Sequence, residues 1–413
     1  MAMRDWRWPQ WTLLAGVVLL VIVGGVLVYV LLNPTVLTPQ PTPGQQVPIG
    51  GLPTPIPGGP QLPASDIENI PLTQIQGTDL DRGVDLIASG GPTRVDDVSL
   101  FPTQYAHLSS NGSSMNYYDP DTKRFYRIDA NGTISKIGQQ VFAEVQNVVW
   151  APNNSDAIVE FPDSSNIRYN FDTNEQVTLP SHWDDFGFSP SSSSVAFKSN
   201  ALDPDERWLA TADASGGNTR RIIPLGENGN IVNVDWPPNN QVVGTYSRPD
   251  GLSRSDLYFV GFNGENFPLS KLNGLNFEGR WTPDGQKVLY SVAEQALEFR
   301  PRLWITDGIG ETMGRNRQPI SLSTWPHKCT FSSGSVAYCG VPVSVPAGAG
   351  LIPSVADSIP DDLYKVDTNT GAVTKIASPA TQVNVESLQL SEDGKTLFIH
   401  DSFTGAIKKM QVE

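Results

Sequence analysis

The sequence contains little cysteine or histidine, and it lacks several short motifs that mark common enzyme classes. Its 413 residues include two cysteines and four histidines. No Gly-x-Ser-x-Gly, His-Glu-x-x-His or Gly-x-x-x-x-Gly-Lys-Ser/Thr sequence occurs, which removes the signatures of α/β-hydrolases, zinc proteases and P-loop proteins. The histidines are explained more simply as structural or exposed than as catalytic; they are His107, His182, His327 and His400. We therefore predict no catalytic residue and no cofactor, and favour a non-enzyme, although these absences leave enzyme activity undecided.

The two cysteines, Cys329 and Cys339, flank the turn of one predicted hairpin. On paired strands their Cα atoms can come within the roughly 4.4–6.8 Å that a disulfide requires. A metal site that also uses His327 would lack a fourth ligand, so we predict no metal. We predict a Cys329–Cys339 disulfide, which export to an oxidising compartment would permit.

Basic residues are scarce: 28 Lys and Arg stand against 43 Asp and Glu, for a net charge of −15. Nucleic-acid binding needs a basic face, so we predict no nucleic-acid partner. The acidic excess is typical of a soluble, exposed surface. Several acidic residues fall in predicted turns without forming a twelve-residue calcium loop, which indicates turn chemistry; they are Asp119, Asp121, Asp129, Asp172 and Asp367.

Residues 11–32 contain no charge and are dominated by Leu, Val and Gly. At about 1.5 Å per residue such a helix spans a hydrocarbon core of about 30 Å. A cleaved signal peptide would have a shorter apolar region ending in a small-x-small site, whereas this one ends Tyr-Val-Leu-Leu-Asn. No cysteine comes directly after it, which excludes a lipoprotein anchor. We predict an uncleaved transmembrane helix over 11–32.

The charges around this span predict its orientation. Arg4 and Arg7 precede it, and the next cation is Arg82. The positive-inside rule keeps residues 1–10 in the cytoplasm and exports the rest. We therefore expect a single-pass protein of the bacterial cytoplasmic membrane, facing the extracytoplasmic side.

Residues 33–63 hold ten prolines and no charge. This composition favours extended polyproline-like chain and cannot build a core. We interpret 33–63 as a linker that holds the folded domain away from the bilayer, and 64–93 as a transition segment.

A phrase in which a hydrophobic strand end runs into a polar turn recurs seven times. The copies align on Leu108, Trp150, Phe188, Trp236, Trp281, Phe331 and Leu390. Pro, Asn, Asp and Gly in the turn suit a hairpin, and an apolar run and a second hairpin follow. Two hairpins per period predict a four-stranded antiparallel sheet, and a series of such sheets predicts an all-β propeller over 94–413. Seven blades are expected, with six or eight as alternatives; a row of unrelated hairpins or a sandwich is disfavoured by the shared period.

The last repeat lacks a fourth strand. Its strands are predicted near 388–390, 396–399 and 406–412, and an unassigned β-like stretch, 94–101, precedes the first repeat. We predict that this N-terminal strand completes the last blade and closes the ring, which removes the open sheet edges.

The phrase Trp281-Thr-Pro-Asp-Gly285 resembles the TolB-like (PD40, WD40-like) propeller repeats of bacterial envelope proteins. Trp150 and Trp236 depart from it, because Asn-Asn replaces Asp-Gly after them. With its N-terminal anchor and its 328–342 segment, the whole chain resembles membrane-anchored bacterial propeller proteins. This resemblance implies the fold and no particular activity. Related repeats occur in dipeptidyl-peptidase-type enzymes, but those enzymes carry a separate catalytic domain with a Gly-x-Ser-x-Gly motif.

The face opposite the short repeated turns is the expected interaction surface, because its connections are longer and chemically richer. The longest is 340–362, whose length indicates either function or disorder. Exposed Trp beside carboxylates could anchor a peptide or stack on a sugar; alternatively, the two Trp rings pack beneath the loops. The candidate partner-binding residues are His182, Trp183, Asp184, Asp185, Trp325 and His327.

We predict a non-catalytic scaffold that binds a protein or a cell-envelope component. The alternative is a glycan- or peptide-cleaving propeller enzyme with two carboxylates about 5–10 Å apart near the propeller axis. The ligand, the oligomeric state and the pathway are not predictable from these residues.

Overall fold

The computed structural model describes residues 83–109, 112–129 and 131–412 of the chain. The predicted membrane span 11–32 and the linker 33–63 lie outside these residues, as does most of the segment 64–93. In the described part, no helix is both long enough and apolar enough to cross a bilayer.

The described residues form 29 strands and six short 3₁₀ helices. Two short strands, β1 (Pro92–Thr93) and β2 (Asp96–Asp97), precede the repeats. The repeats begin with β3 (Gln104–Leu108), β4 (Ser114–Asp119), β5 (Arg124–Asp129), β6 (Ile134–Lys136), β7 (Asn147–Trp150), β8 (Asp156–Glu160), β9 (Asn166–Asn170), β10 (Gln176–Leu179), β11 (Trp183–Phe188), β12 (Ser194–Ser199), β13 (Trp208–Asp213) and β14 (Arg220–Pro224).

The remaining strands are β15 (Val232–Val234), β16 (Val242–Pro249), β17 (Ser255–Gly261), β18 (Ser270–Leu272), β19 (Leu275–Trp281), β20 (Lys287–Glu294), β21 (Arg300–Asp307), β22 (Gln318–Pro319), β23 (Cys329–Ser333), β24 (Val336–Pro342), β25 (Asp361–Asp367), β26 (Val373–Pro379), β27 (Val385–Leu390), β28 (Thr396–Asp401) and β29 (Ala406–Gln411). The 3₁₀ helices are Pro204–Glu206, Gly229–Ile231, Gln295–Leu297, Gly310–Thr312, Pro326–Lys328 and Pro353–Ala356.

These strands form seven separate sheets, one for each repeat, and confirm the seven-bladed propeller. Within each blade the repeat's own strands pair antiparallel in chain order, so that the first strand of each repeat lies at one edge of its sheet. We number the blades 1 to 7 from β3 onward. Seven clusters of buried apolar side chains lie one at each junction between consecutive blades, including the junction of blade 7 with blade 1. The ring is therefore closed by packing as well as by sequence order.

The chain closes the ring through its N-terminal strand, as predicted. Strand β2 pairs antiparallel with β29, with Asp96 opposite Lys409, and becomes the outer strand of blade 7. The amide of Val98 extends this pairing by donating to the carbonyl of Ile407 at 2.8 Å. Strand β1, which was not predicted, pairs parallel with β26 and adds a fifth strand to blade 6. The N-terminal segment thus ties the last two blades together.

The repeated turn has the predicted conformation. It joins the first two strands of each blade, and six of its seven copies place one residue in the left-handed region, where Gly and Asn meet least steric cost. These residues are Gly112, Asn154, Ser192, Asn240, Gly285 and Gly394, with φ between 57° and 73°. The side chains of Asn153 and Asp284 accept backbone N–H groups within their own turns. This local chemistry explains why the phrase recurs in the sequence.

Cys329 and Cys339 form the predicted disulfide. They lie directly opposite each other on β23 and β24, with Cα atoms 4.0 Å apart, and both are fully buried. We expect the double variant Cys329→Ser/Cys339→Ser to lower the free energy of unfolding by about 2–3 kcal/mol, because the bridge closes a short loop in the unfolded chain. Urea denaturation measures this, and a reductant should affect the wild type but not the variant. Equal stability of the two proteins would contradict the prediction.

Candidate functional site

The first strand of each blade faces the propeller axis. The aligned residues Phe188, Trp236 and Trp281 end the inner edges of their blades and are buried in the cores between blades. Because side chains alternate along a strand, the residue before each aligned position points the other way. Those residues include His107, Asp235, Arg280 and Gln389. A cavity of about 610 Å³ opens between the inner strands of blades 4 and 5, and Asp235 and Arg280 line it.

His107, Asp235 and Arg280 form an ionisable layer near the short-turn end of the axis. His107 belongs to blade 1 and Arg280 to blade 5, yet the Arg280 charge disfavours protonation of His107, which is possible only across the axis. Burial is the main cause that lowers the pKa of His107 to about 4; a hydrogen bond with Asn154 opposes the shift, and the Arg280 charge contributes to it. Burial raises the pKa of Asp235 to about 7, against the opposing effect of Arg280. At neutral pH the layer therefore holds a neutral imidazole, a guanidinium and a carboxyl group that is partly protonated.

A second set of ionisable side chains surrounds the axis at the loop-rich face. We call it the acidic mouth, defined as Glu160, Asp184, Asp185, Glu278 and Glu386. Burial raises the pKa of Glu160, and the charges of Asp184 and Asp185 add to this rise. Burial also raises the pKa of Asp184. The mouth therefore brings together carboxylates from blades 2, 3, 5 and 7, of which Glu160 and Asp184 are the ones that burial affects most.

Electrostatic effects link the members of the mouth around the ring. The Tyr105 hydroxyl of blade 1 has a raised pKa because of burial and because of the charges of Glu386 and Glu160. His327 of blade 6 contacts Glu278 of blade 5, with Nδ1 2.9 Å from Oε1. In the described part of the chain, no three His, Cys, Asp or Glu side chains are arranged to hold a metal ion. The mouth offers hydrogen bonds and negative charge to a ligand.

Bulges in the inner strands set the direction of these side chains. The pairing register shifts in β3, β11, β19 and β27, which are the first strands of blades 1, 3, 5 and 7. Tyr105 and Asp185 sit within two of these shifts at φ 53° and 50°, a conformation that costs non-glycine residues energy. Bulges are frequent at barrel rims and beside functional sites, where they redirect a side chain.

The predicted residues of blade 3 separate into buried and accessible ones. Trp183 is only 5% exposed and stacks on Phe197 with ring centroids 3.6 Å apart, so its indole packs beneath the surface. His182 is exposed. Asp184 accepts a hydrogen bond from the Asn200 side chain at 2.6 Å. Asp185 pairs with Lys198 at 2.9 Å and accepts from the backbone N–H of Val234 in blade 4.

The predicted residues of blade 6 divide in the same way. Trp325 is 3% exposed and forms a small separate core with Ala349 and Ala356, whereas His327 is partly exposed. Blades 3 and 6 are not neighbours, so the six predicted residues do not form one contact cluster. A partner-binding role for them stays a prediction, but neither indole ring is available for stacking on a ligand.

The long connection of blade 6 is ordered. We call residues 343–360 the rim loop. Val345 and Ile359 pack on the small core around Trp325. The amides of Gly348 and Gly350 donate to the carbonyls of Glu298 and Phe299 in blade 5, each at 2.8 Å. The loop thus leaves blade 6 and is held against blade 5 on the loop-rich face.

A buried ion pair lies beneath the rim loop. Lys328 Nζ is 2.9 Å from Asp361 Oδ2, and both side chains are buried. The same Asp361 oxygen accepts from the backbone N–H of Val385 at 2.6 Å, which links blade 6 to blade 7. Burial raises the pKa of Asp361 even though the Lys328 charge opposes the rise.

His400 connects the ring closure to the mouth. Its Nδ1 is 3.1 Å from Glu386, and its Nε2 donates to the carbonyl of Thr103, which follows the closing strand. Burial opposes a charge on His400, but hydrogen bonds to Glu386 and to backbone carbonyls outweigh it and raise its pKa. The hydrogen bond from His400 lowers the pKa of Glu386.

This pair predicts a pH dependence of stability. The raised histidine pKa contributes stability that is complete below about pH 6.5 and is lost as pH rises through the folded-state pKa. The lowered carboxylate pKa contributes stability that is lost as pH falls below about 4.5. We expect the unfolding midpoints of wild type and His400→Gln to differ most between about pH 5 and 6 and to converge at higher pH. Thermal unfolding from pH 4 to 9 measures this, with the exposed His182→Gln as control. A pH-independent difference would contradict it.

Most of the axial residues are not among those predicted from the sequence. Spacing in the sequence does not reveal a pair of carboxylates, because residues of different blades meet only in three dimensions. One sequence rule does point to axial residues: the side chain of the residue before each aligned, buried position faces the opposite side of its strand. That rule selects His107, Asp235, Arg280 and Gln389, but it does not find Glu160 or Glu386, whose positions depend on a second strand and on a bulge.

Solved structures of known proteins share this fold. An oligogalacturonate lyase in complex with manganese matches with a TM-score of 0.54 and 13% sequence identity, over 77% of this chain and 93% of that one. The β-propeller domain of Myceliophteria thermophila Cps50 (Swd1) matches with a TM-score of 0.52 and 10% identity, over 77% of this chain and all of that one. The tricorn protease matches with a TM-score of 0.48 and 13% identity, over 77% of this chain and 33% of that protein.

No protein-family model matches the sequence, and no curated protein matches it. At these identities the similarity concerns the fold. The similarity to the lyase and to the Cps50 domain therefore supports the β-propeller fold and assigns no activity.

Proposed function

We propose that the protein is a binding module that holds a protein or cell-envelope partner on the loop-rich face of its propeller. The observation that carries this proposal is the rim loop, an ordered excursion that exposes aliphatic side chains beside the acidic mouth. Exposed apolar surface on an ordered loop is typical of interaction sites. The loop belongs to blade 6 and is also held by blade 5, so its exposed side chains have a fixed position for a partner to bind.

The location of this module is part of the proposal. The uncharged run 11–32 would anchor the chain in the bacterial cytoplasmic membrane, and the linker 33–63 would carry the propeller on the extracytoplasmic side. Arg4 and Arg7 before the run support this orientation. The disulfide is consistent with an oxidising compartment.

Site-specific photo-crosslinking in cells tests the binding function. A photoreactive residue at Ile352 on the rim loop should give a reproducible crosslinked product from the full chain. The matched position is Glu175, which is exposed in a turn on the opposite face. A product from position 352 and none from 175 supports the proposal. No product from position 352, together with turnover of a glycan or peptide substrate, would overturn it.

A propeller enzyme with axial carboxylates is the second candidate, and one observation favours it. Asp235 lines the cavity between blades 4 and 5 with a pKa of about 7, which suits a group that gives and takes a proton at neutral pH. If this is correct, purified protein should cleave a member of a glycan or peptide panel, and Asp235→Asn should abolish cleavage without lowering the unfolding midpoint. Absence of cleavage by the wild type would exclude this candidate for the panel tested.

A further inference from the structure

The rim loop exposes a run of apolar residues at one place on the surface. Residues 351–355 read Leu-Ile-Pro-Ser-Val and are all exposed, with Leu351 at 41% and Ile352 at 60%. Val343, at the start of the loop, is exposed as well. The only charged side chain in the loop is Asp357. Exposed aliphatic residues within one short segment lower the free energy of a complex when a partner covers them.

The loop is held in place before any partner binds. Arg300 donates from Nε to the carbonyl of Val345 at 2.7 Å, and Asn384 donates to the carbonyl of Ile359 at 2.7 Å. Gly350 lies so close to blade 5 that a Cβ there would come within 2.7 Å of the Ala293 side chain. A loop fixed in this way loses little conformational entropy on binding.

The exposed aliphatic residues and the acidic mouth are parts of one surface. Asn276 donates from its side chain to the carbonyl of Gly350 at 2.8 Å, and Asn276 lies two residues before Glu278 on β19. On the other side, His327 contacts Glu278 and stacks on Trp325, the centre of the small core that supports the loop. The loop therefore stands directly at the edge of the mouth.

We propose that the rim loop and the acidic mouth together bind a segment of a partner protein in which aliphatic residues are followed by lysine or arginine. This inference deepens the proposed binding function and rests on it. Aliphatic side chains of the partner would cover Leu351, Ile352 and Val355. Its cations would enter the mouth, where the carboxylates of Glu160 and Asp184 repel each other and gain most from a nearby positive charge.

Charge complementarity selects this partner over a lipid surface. The cytoplasmic membrane of bacteria carries anionic lipid, and a surface that inserts aliphatic side chains into it is usually flanked by basic residues. Here the five carboxylates of the acidic mouth lie beside the apolar residues, and Arg300, the cation that donates to the carbonyl of Val345 in the loop, is paired with Glu298. Vesicle binding is therefore an outcome that the experiment must be able to detect.

Fluorescence anisotropy with designed peptides tests the inference on the full chain in phosphatidylcholine nanodiscs, with empty discs as blank. The probe is a labelled dodecapeptide with a Leu/Ile half followed by a Lys/Arg half. One comparison peptide has Glu in place of Lys/Arg, and the other has Ser in place of Leu/Ile. We expect the first peptide to bind at least about tenfold more tightly than either of the others, because both halves contribute.

Variants locate the binding. Leu351→Ser/Ile352→Ser should weaken binding of the first peptide about tenfold or more. Glu160→Gln/Asp184→Asn should weaken it and reduce its dependence on salt, because fewer charges are paired. The matched controls are Leu202→Ser, a 99% exposed residue of blade 3, and Glu175→Gln on the opposite face. Both controls should bind like the wild type.

Three results would overturn the inference. They are equal binding of the Glu peptide, binding unaffected by Leu351→Ser/Ile352→Ser, and binding of phosphatidylglycerol vesicles in preference to the peptide. If any of these results is obtained while position 352 still gives a crosslinked partner, the proposed binding function holds and only the inferred chemistry of the partner is wrong. No crosslink together with no peptide binding would remove both.

Discussion

Replacing Asp361 by asparagine should lower the free energy of unfolding by about 3–5 kcal/mol, the usual loss when one partner of a buried ion pair is removed. The amide can still accept the hydrogen bond from the Val385 backbone, so the variant mainly removes the negative charge. Lys328 then remains buried with a distant contact to Asn384, 3.5 Å away, in place of its counter-ion. Urea denaturation at neutral pH measures the loss.

The adjacent Asp362 is the matched control, because it lies on the same strand and pairs with Lys375, which is 37% exposed. Solvent screens this pair because Lys375 is more than a third exposed, and asparagine can still accept the hydrogen bond from Ser378, so Asp362→Asn should cost about 1 kcal/mol. The double variant Lys328→Met/Asp361→Leu should regain much of the stability, since neither buried charge remains. If Asp361→Asn and Asp362→Asn lower the free energy of unfolding by similar amounts, the buried pair contributes no more to stability than the exposed one, and the prediction is wrong.

Trp325→Ala should release the rim loop while the propeller stays folded. Truncating a buried Trp costs about 3–5 kcal/mol. Here the apolar side chains that pack on Trp325 belong to the rim loop, so the truncation should destabilise the loop rather than the blades. We expect the amides of Gly348 and Gly350, which bond to blade 5, to lose protection from hydrogen exchange about a hundredfold or more. Peptide binding at the rim loop should disappear with it.

Trp325→Phe is the control for this experiment. The indole N–H of Trp325 has no hydrogen-bond partner among the described residues, so phenylalanine loses volume but no hydrogen bond to them. The loop amides should therefore keep most of their protection. Unchanged exchange in Trp325→Ala would mean that the backbone contacts to blade 5 hold the loop without its core. Global unfolding of that variant would mean that the loop is part of the cooperative unit.

Features that depend on local chemistry were predictable here from the repeats alone. The turn residues specify left-handed positions such as Asn154 and Gly285, and the alternation of apolar residues specifies which face of each strand is buried. The closing strand was found by counting, because the last repeat had three strands and an unassigned one preceded the first. Cys329 and Cys339 flank one predicted hairpin turn, and this position was enough to predict that they lie on paired strands.

The fate of the two Trp residues could not be predicted, because a polar neighbourhood in sequence does not specify where a side chain packs. Trp183 lies between His182 and Asp184, yet its ring stacks on Phe197 of the next strand. The rim loop covers the Trp325 ring, and hydrogen bonds to blade 5 hold that loop in place. Both rings are buried because of contacts with residues that are not their neighbours in the sequence.

The period, the turn chemistry and the missing strand were enough to predict a propeller closed by the N-terminal segment, and seven was the expected number of blades. The side chains that meet at the axis depend on the three-dimensional packing. His107 and Arg280 are far apart in the chain and on non-adjacent blades, and ring closure alone brings the Arg280 charge within range of the His107 imidazole. The reason is physical, because hairpin pairing is set by neighbouring residues, whereas a site assembled from several blades depends on packing at every junction of the ring.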